Sequence, residues 1–169
     1  MKVWLDCDPG HDDMLAIVMA ALSPPLTLLG VSTSAGNSTV DNTTRNALDI
    51  LHEIGRDDIQ VVRGASHPLC RKLETAPAIH GISGLEGAEL KRSPKEPITE
   101  NPFLYIYNQI MGQGEQVEFV VTGAMTNLAI LLLAFPSIKP HIGKITLMGG
   151  AIGLGNWSPA AEFNILVDP

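Results

Sequence analysis

Short apolar stretches alternate with stretches of helical periodicity along this chain, and that order leaves few folds open. Val3–Leu5 reads as a short strand. Asp12–Leu22 has helical spacing, with Met14, Ile17, Val18 and Ala21 on one face, and Leu26–Thr33 (LTLLGVST) reads as a second strand. Val40–Ile54 is predicted to be a helix that turns Ala47, Leu48, Leu51 and Ile54 inward, and Ile59–Val62 is a third strand. Val117–Thr122 (VEFVVT) and Lys144–Met148 (KITLM) are later strands, with a helix over Met125–Ala134 between them and Pro136 just after it. Strand–helix alternation of this kind predicts an α/β fold: a mostly parallel sheet flanked by helices, with right-handed crossovers. The 169 residues suffice for one domain, 1–169, with a proper core.

Two regions fit this rhythm less well. Arg63–Pro102 contains five prolines and the glycine-rich IHGISGLEG at Ile79–Gly87, so it is expected to be a long loop, either functional or disordered. At Ala161–Pro169, AEFNILVDP reads as the approach to a further helix, so the sheet is expected to be incomplete at its C-terminal side.

Composition narrows the function. The net charge is -7 and there is no cluster of Lys and Arg, which argues against nucleic-acid binding. The longest apolar run, Leu128–Phe135 (LAILLLAF), falls far short of the ~20 residues a membrane helix needs and is expected to be a buried helix. The opening MKVWLDCD brings charge before any apolar segment of a signal peptide, so a cytoplasmic location is expected. Cys7 and Cys70 form no C-x-x-C pair and imply neither a disulfide framework nor zinc.

The chemistry concentrates in WLDCDPGHDD. Asp6 and Asp8 fall where the first strand ends, Pro9-Gly10 makes a turn, and Asp12 and Asp13 open the helix. In an open parallel sheet ligands sit beyond the carboxyl ends of the strands. Three or four carboxylates are therefore expected to meet at that edge, where unpaired they would repel and one would protonate. Turn chemistry and capping explain one or two of these acids, not four. A hard divalent cation such as Ca²⁺, which takes oxygen ligands in irregular geometry, removes the conflict. Other polar residues follow other strands: Ala35-Gly36-Asn37, Thr122-Gly123 and Met148-Gly149-Gly150 are expected on the same rim.

The chain resembles the inosine–uridine-preferring nucleoside hydrolases. The resemblance rests on DCDPGHDD at Asp6–Asp13, AGN at Ala35–Asn37, IHGISGLEG at Ile79–Gly87, VTGAMTNLA at Val121–Ala129, LMGGA at Leu147–Ala151 and GNWSPAAEFNILVDP at Gly155–Pro169. It implies a Rossmann-like nucleoside hydrolase fold and Ca²⁺-dependent hydrolysis of the N-glycosidic bond of a ribonucleoside to ribose and free base. Asp8 is implied as general base and metal ligand, with Asp13 and the Thr122 carbonyl as further ligands. Asp12, Asn37, Asn156, Glu162 and Asn164 are implied to hold ribose or the attacking water, with Met148 packed near the sugar, His80 at the pocket mouth and Asp6 in support. A homo-oligomer is left as an open expectation, since nothing in the residues argues the oligomeric state.

The family's second half supplies a further Asp for the metal and a His near the leaving base. His11, His52, His67, His80 and His141 do not occupy that motif, so the chain is expected to be a truncated N-terminal part with weakened or lost turnover. Two alternatives stand beside this reading. One is an inactive fragment that binds ribose or metal. The other is a phosphatase of the haloacid-dehalogenase type with Asp6 as nucleophile, against which Gly10 and the Asp12-Asp13 pair both speak.

Overall fold

In the computed structural model, which describes residues 1–169, five strands form one wholly parallel sheet: β1 (Lys2–Cys7), β2 (Thr27–Thr33), β3 (Val61–Arg63), β4 (Val117–Val121) and β5 (Ile142–Leu147). Their order is β3-β2-β1-β4-β5, so the first strand lies at the centre. Asp6 pairs in register with Ser32 of β2 on one side and Val121 of β4 on the other. The three carboxyl ends thus stand level, which brings the loops after them together.

Two helices, α1 (His11–Leu22) and α2 (Val40–Glu53), follow β1 and β2. Their Ile17, Ala21, Ala47, Leu48 and Leu51 pack with Val3, Leu5, Cys7, Val31 and Val61 in one core. Trp4, Val62, Val117, Phe119 and Val121 point to the other face. There they meet Ile106 and Ile110 of α4 (Pro102–Met111), Leu128 and Leu131 of α5 (Thr126–Ala134), and Ile138 of the following 3-10 helix, Pro136–His141. The period-two alternation along β1 divides the sheet between two cores. Burying apolar area on both faces, at roughly 25 cal/mol per Å², is the main force holding the layers. No helix is long and apolar enough to cross a membrane.

The predicted elements are present with ends moved by at most two residues. Within the expected long loop, α3 (Pro77–His80) forms a single turn, and Ile98 bridges in parallel to Val62 beside β3. Pro102 does not belong to that loop: it opens α4, where the missing N–H of proline costs nothing at the first helical position. The expectation of a buried helix over Leu128–Phe135 holds for one face only, since Leu133 is 76 % exposed. AEFNILVDP contains the short helix α6 (Phe163–Val167).

Candidate active site

The β1 strand delivers Asp6 and Asp8 in opposite senses. Asp6 is fully buried under the rim, accepting from Ser32 Oγ and from Asn127 Nδ2 (2.8 Å), while Trp4 Nε1 donates to the same Ser32 hydroxyl (3.0 Å). Its Oδ2 has no partner. Burial pushes the Asp6 carboxyl up to about 7, against the lowering effect of Ser32 and Asn127. Asp6 is therefore a structural acid, out of reach of any ligand.

Asp8, one residue past the strand, turns toward the first turn of α1. Its backbone N–H donates to Asp13 Oδ2 (2.9 Å), and its own Oδ2 accepts the backbone N–H of Asn37 (2.6 Å). Both acids are buried. Burial first, and then the charge of Asp13, push the Asp8 carboxyl well above the usual range. Asp13 is raised to about 6, again chiefly by burial, with the Thr122 hydroxyl pulling the other way. Gly36 and Gly123 close on this carboxylate from two loops. A Cβ at Gly123 would lie 2.7 Å from Asp8 Oδ1, and one at Gly36 would overlap Oδ2 outright.

The expected meeting of three or four carboxylates is thus a meeting of two. Asp6 points into the core and Asp12 stands exposed, and no three acids, histidines or cysteines make a group that could hold a metal. The physical reason is that β1 ends at Cys7, so Asp8 has left the pleat that would set it on the face of Asp6, and that the helix turns Asp12 away from Asp13.

Beside the Asp8–Asp13 pair lies a cavity of about 240 Å³. Its wall includes Asp12, Asn37, His80, Thr122, Met148, Asn156, Glu162 and Asn164. All eight were singled out in the sequence, from segments 152 residues apart at the extremes (12 to 164). Sequence reasoning missed four further wall residues, Ala76, Ile79, Trp157 and Phe163. The Trp157 and Phe163 rings pack at a centroid distance of 4.8 Å. The signal for them was weak: two aromatics six positions apart inside a polar motif.

Several wall residues are already tied down. Glu162 caps α6, accepting from Asn164 N and Ile165 N (3.0 Å each), and also from Gly150 N (3.0 Å). Asn164 Nδ2 donates to Thr122 O (2.8 Å) and Met148 O (3.1 Å), and Asn156 Oδ1 accepts from Phe163 N (2.8 Å). Asn164 Oδ1 and Asn156 Nδ2 keep free hydrogen-bonding capacity toward the cavity. At the mouth, His80 stacks on His11, with their Nδ1 atoms 3.2 Å apart. Burial lowers the His80 pKa, Asp12 opposing it and His11 adding to it.

A family model described as inosine-uridine preferring nucleoside hydrolase matches residues 3–169. The chain is 47 % identical over 169 residues to the pyrimidine-specific ribonucleoside hydrolase RihA of Citrobacter koseri, covering 100 % of this chain and 54 % of that protein. Against the protein of the same name from a Shewanella species it is 48 % identical over 165 residues, covering 98 % and 52 %. Among solved structures, a purine-preferring ribonucleoside hydrolase from Gardnerella vaginalis matches with a TM-score of 0.92 at 37 % identity, over 100 % of this chain and 55 % of that one. A plant nucleoside hydrolase matches with a TM-score of 0.91 at 36 % identity, over 99 % and 54 %. The chain spans about half the length of the curated relatives it matches.

Proposed function

The chain belongs to the inosine-uridine preferring nucleoside hydrolase family, and from that premise we propose that it carries the ribose-binding and water-activating half of a ribonucleoside hydrolase site. The reaction is hydrolysis of the N-glycosidic bond, giving ribose and free base. One observation carries the reading: eight polar and apolar residues of six separate motifs line a single cavity, and two of them, Asn37 and Thr122, also bond the buried Asp8–Asp13 pair.

The donors near that pair are all oxygens: the Asp8 and Asp13 carboxylates and the Thr122 carbonyl. In kind they suit Ca²⁺; in number they fall short of the 6–8 ligands it takes, which leaves positions for water and sugar hydroxyls. The orphaned Asp6 Oδ2 is too deep to serve. Bound at these residues, Ca²⁺ supplies positive charge that favours the ionised form of both acids and acidifies nearby water.

The chain's own residues do the rest. Asp8, held by the Asn37 N–H, accepts the proton of the attacking water. Asp12, exposed on the cavity wall, faces the positive charge that develops on the sugar as the bond breaks. Asn156 Nδ2, Asn164 Oδ1 and the Glu162 carboxylate fix the ribose hydroxyls, and Met148 covers the ring. Trp157 and Phe163 give the wall an apolar patch against which a planar base can stack. A pyrimidine ribonucleoside is the preferred substrate in this reading, since the two relatives described above at 47–48 % identity are named pyrimidine-specific.

The test is release of uracil from uridine and hypoxanthine from inosine, followed chromatographically with and without Ca²⁺. Uridine turnover that Asp8→Asn abolishes is expected, and equal turnover by Asp8→Asn sinks the reading. A second reading, binding without turnover, is favoured by the carboxylate count, since only two acids meet where a metal would sit. Ribose and Ca²⁺ binding in calorimetry without base release would select it. The burial of Asp6, bonded to Ser32 and Asn127, removes the nucleophile that a phosphatase mechanism needs.

A further inference from the structure

The glycine-rich segment Ile79–Gly87 runs along the cavity mouth, yet only its first two residues, Ile79 and His80, line the cavity. The rest serves attachment. Leu85 is buried in the core that α1 and α2 share. Polar ties come from three residues: Ser38, just before α2, and Asn42 and Asn46 on it, spaced by four and so on one face. Ser38 Oγ (2.8 Å) and Asn42 Nδ2 (3.1 Å) both donate to Ile82 O. Asn46 Nδ2 donates to Ser83 O (2.9 Å) and to Pro9 O (3.0 Å).

Asn46 differs from the other two in where its second proton goes. Pro9 follows Asp8 directly, and its carbonyl belongs to the turn between β1 and α1. A single side-chain amide thus bridges the turn that carries Asp8 and the loop that carries Ile79 and His80. Both partners are acceptors, so only an NH₂ group can satisfy them, and a carboxylate of the same shape could bond neither. The loop is seated closely here. At Gly84, buried with φ of +87°, a methyl group would lie 3.0 Å from Asn46 Nδ2 and 3.2 Å from Pro9 O. Asn46 itself is not part of the cavity wall.

We propose that Asn46 is a positioning residue for nucleoside binding, a role that rests on the nucleoside reading of the site: from outside the cavity it fixes the mouth wall at one distance from the Asp8–Asp13 pair. Without the bridge, Pro9 O and Ser83 O turn to water, and Ile79 and His80 shift relative to the acids. A bound nucleoside then loses contacts made alike in the ground state and the transition state, which weakens binding more than it slows chemistry.

The test compares the wild type with Asn46→Asp, which keeps the volume and removes both donors, and with Gly84→Ala, which presses on the same contact from the loop. Uridine hydrolysis in saturating Ca²⁺ gives KM and kcat. Hydrogen exchange follows the Gly84 and Glu86 amides, which donate to Gly81 O (3.2 Å) and His80 O (3.1 Å). In both variants KM should rise about tenfold or more, with kcat within about threefold. The two amides should exchange about tenfold faster while those of β1 and β4 keep their protection. If the wild type binds uridine without cleaving it, the calorimetric Kd takes the place of KM. An unchanged KM or Kd in Asn46→Asp overturns the proposal even where the amides loosen, since Asn46 would then tie the loop without placing it. Loss of protection throughout β1 and β4 overturns it too, as the mark of a merely structural role. A wild type that neither binds nor cleaves uridine removes the nucleoside reading and this proposal together, whereas an active wild type matched by Asn46→Asp removes this proposal alone.

Discussion

Asn127 donates its side-chain amide to Asp6 Oδ1 over 2.8 Å, joining residues 121 positions apart. The same amide group donates to Thr33 O (3.1 Å), and its oxygen accepts from Ala65 N (2.8 Å). One buried side chain on α5 thus ties the ends of β1, β2 and β3 beneath the site. Asn127→Ala leaves these groups buried without partners, at a cost of about 3 kcal/mol. Urea denaturation measures it; a loss under about 1 kcal/mol would show that the network is replaceable.

Gly36 and Gly123 leave no room for a methyl group beside Asp8. Gly36→Ala should therefore swing the Asp8 carboxylate off its bond with Asn37 N while the distant cores stay packed. The expected result is Ca²⁺ affinity lowered about tenfold or more in calorimetric titration, with far-ultraviolet dichroism unchanged. Unaltered affinity would mean that Asp8 is not a ligand.

The buried acids give metal-free stability a definite pH dependence. Asp6 is raised from 3.8 to about 7 and Asp13 from 3.8 to about 6, with Asp8 raised as well, all chiefly by burial. Between those limits the native state holds more protons than the unfolded chain, so stability falls as pH rises. The contribution is full below about pH 4 and lost as pH rises through about 6 to 7, an effect on the order of a few kcal/mol. Glu53, Asp58 and Glu115 are shifted downward at the surface, where solvent screens the opposing effect. Thermal unfolding in a chelator should give a higher Tm at about pH 5 than at about pH 8, and added Ca²⁺ should restore stability chiefly at the higher pH. A Tm in chelator that climbs over that range contradicts the assignment.

Asp168 gathers three donors: Leu69 N (2.8 Å), Cys70 N (3.0 Å) and Thr126 Oγ1 (2.6 Å). It pins the segment that leads to the Ala76–His80 wall of the cavity. Asp168→Ala should free Leu69–Lys72 and speed tryptic cleavage after Arg71 and Lys72 several-fold, about what losing 1–2 kcal/mol of local order implies. An unchanged cleavage rate would leave Asp168 without that role.

Much of this was legible in the chain. Apolar periodicity located both early helices and every strand, because a parallel sheet between two helical layers forces that pattern on Val3, Leu5, Ile17, Leu48 and Leu51. Residues after strands converge because the strands share direction, so Asn37, Thr122 and Met148 were predictable as one rim. The separate fates of Asp6, Asp8 and Asp12 were not legible. The end of β1 at Cys7 and the rotation of the helix divide near neighbours in sequence, and only Ser32 and Asn127, far along the chain, explain why Asp6 can be buried. Helix α4 was missed because Pro102 resembled the prolines before it, although Ile106 and Ile110 carry the periodicity. Trp157 and Phe163 depend on the turn of α6, which no local pattern fixed.

The central place of β1 has a temporal consequence. Its partner on one side, β2, is made soon after it, but its neighbour on the other, β4, begins at Val117, and Val3 cannot pair with Glu118 until more than a hundred further residues have been synthesised. Pairing across so long a separation is slow, because chain entropy is lost before the contact repays it. The acidic pair at Asp8 and Asp13 is thus written first and assembled late, and a nascent chain stalled before residue 117 would present its first strand half-paired to every neighbour on the ribosome.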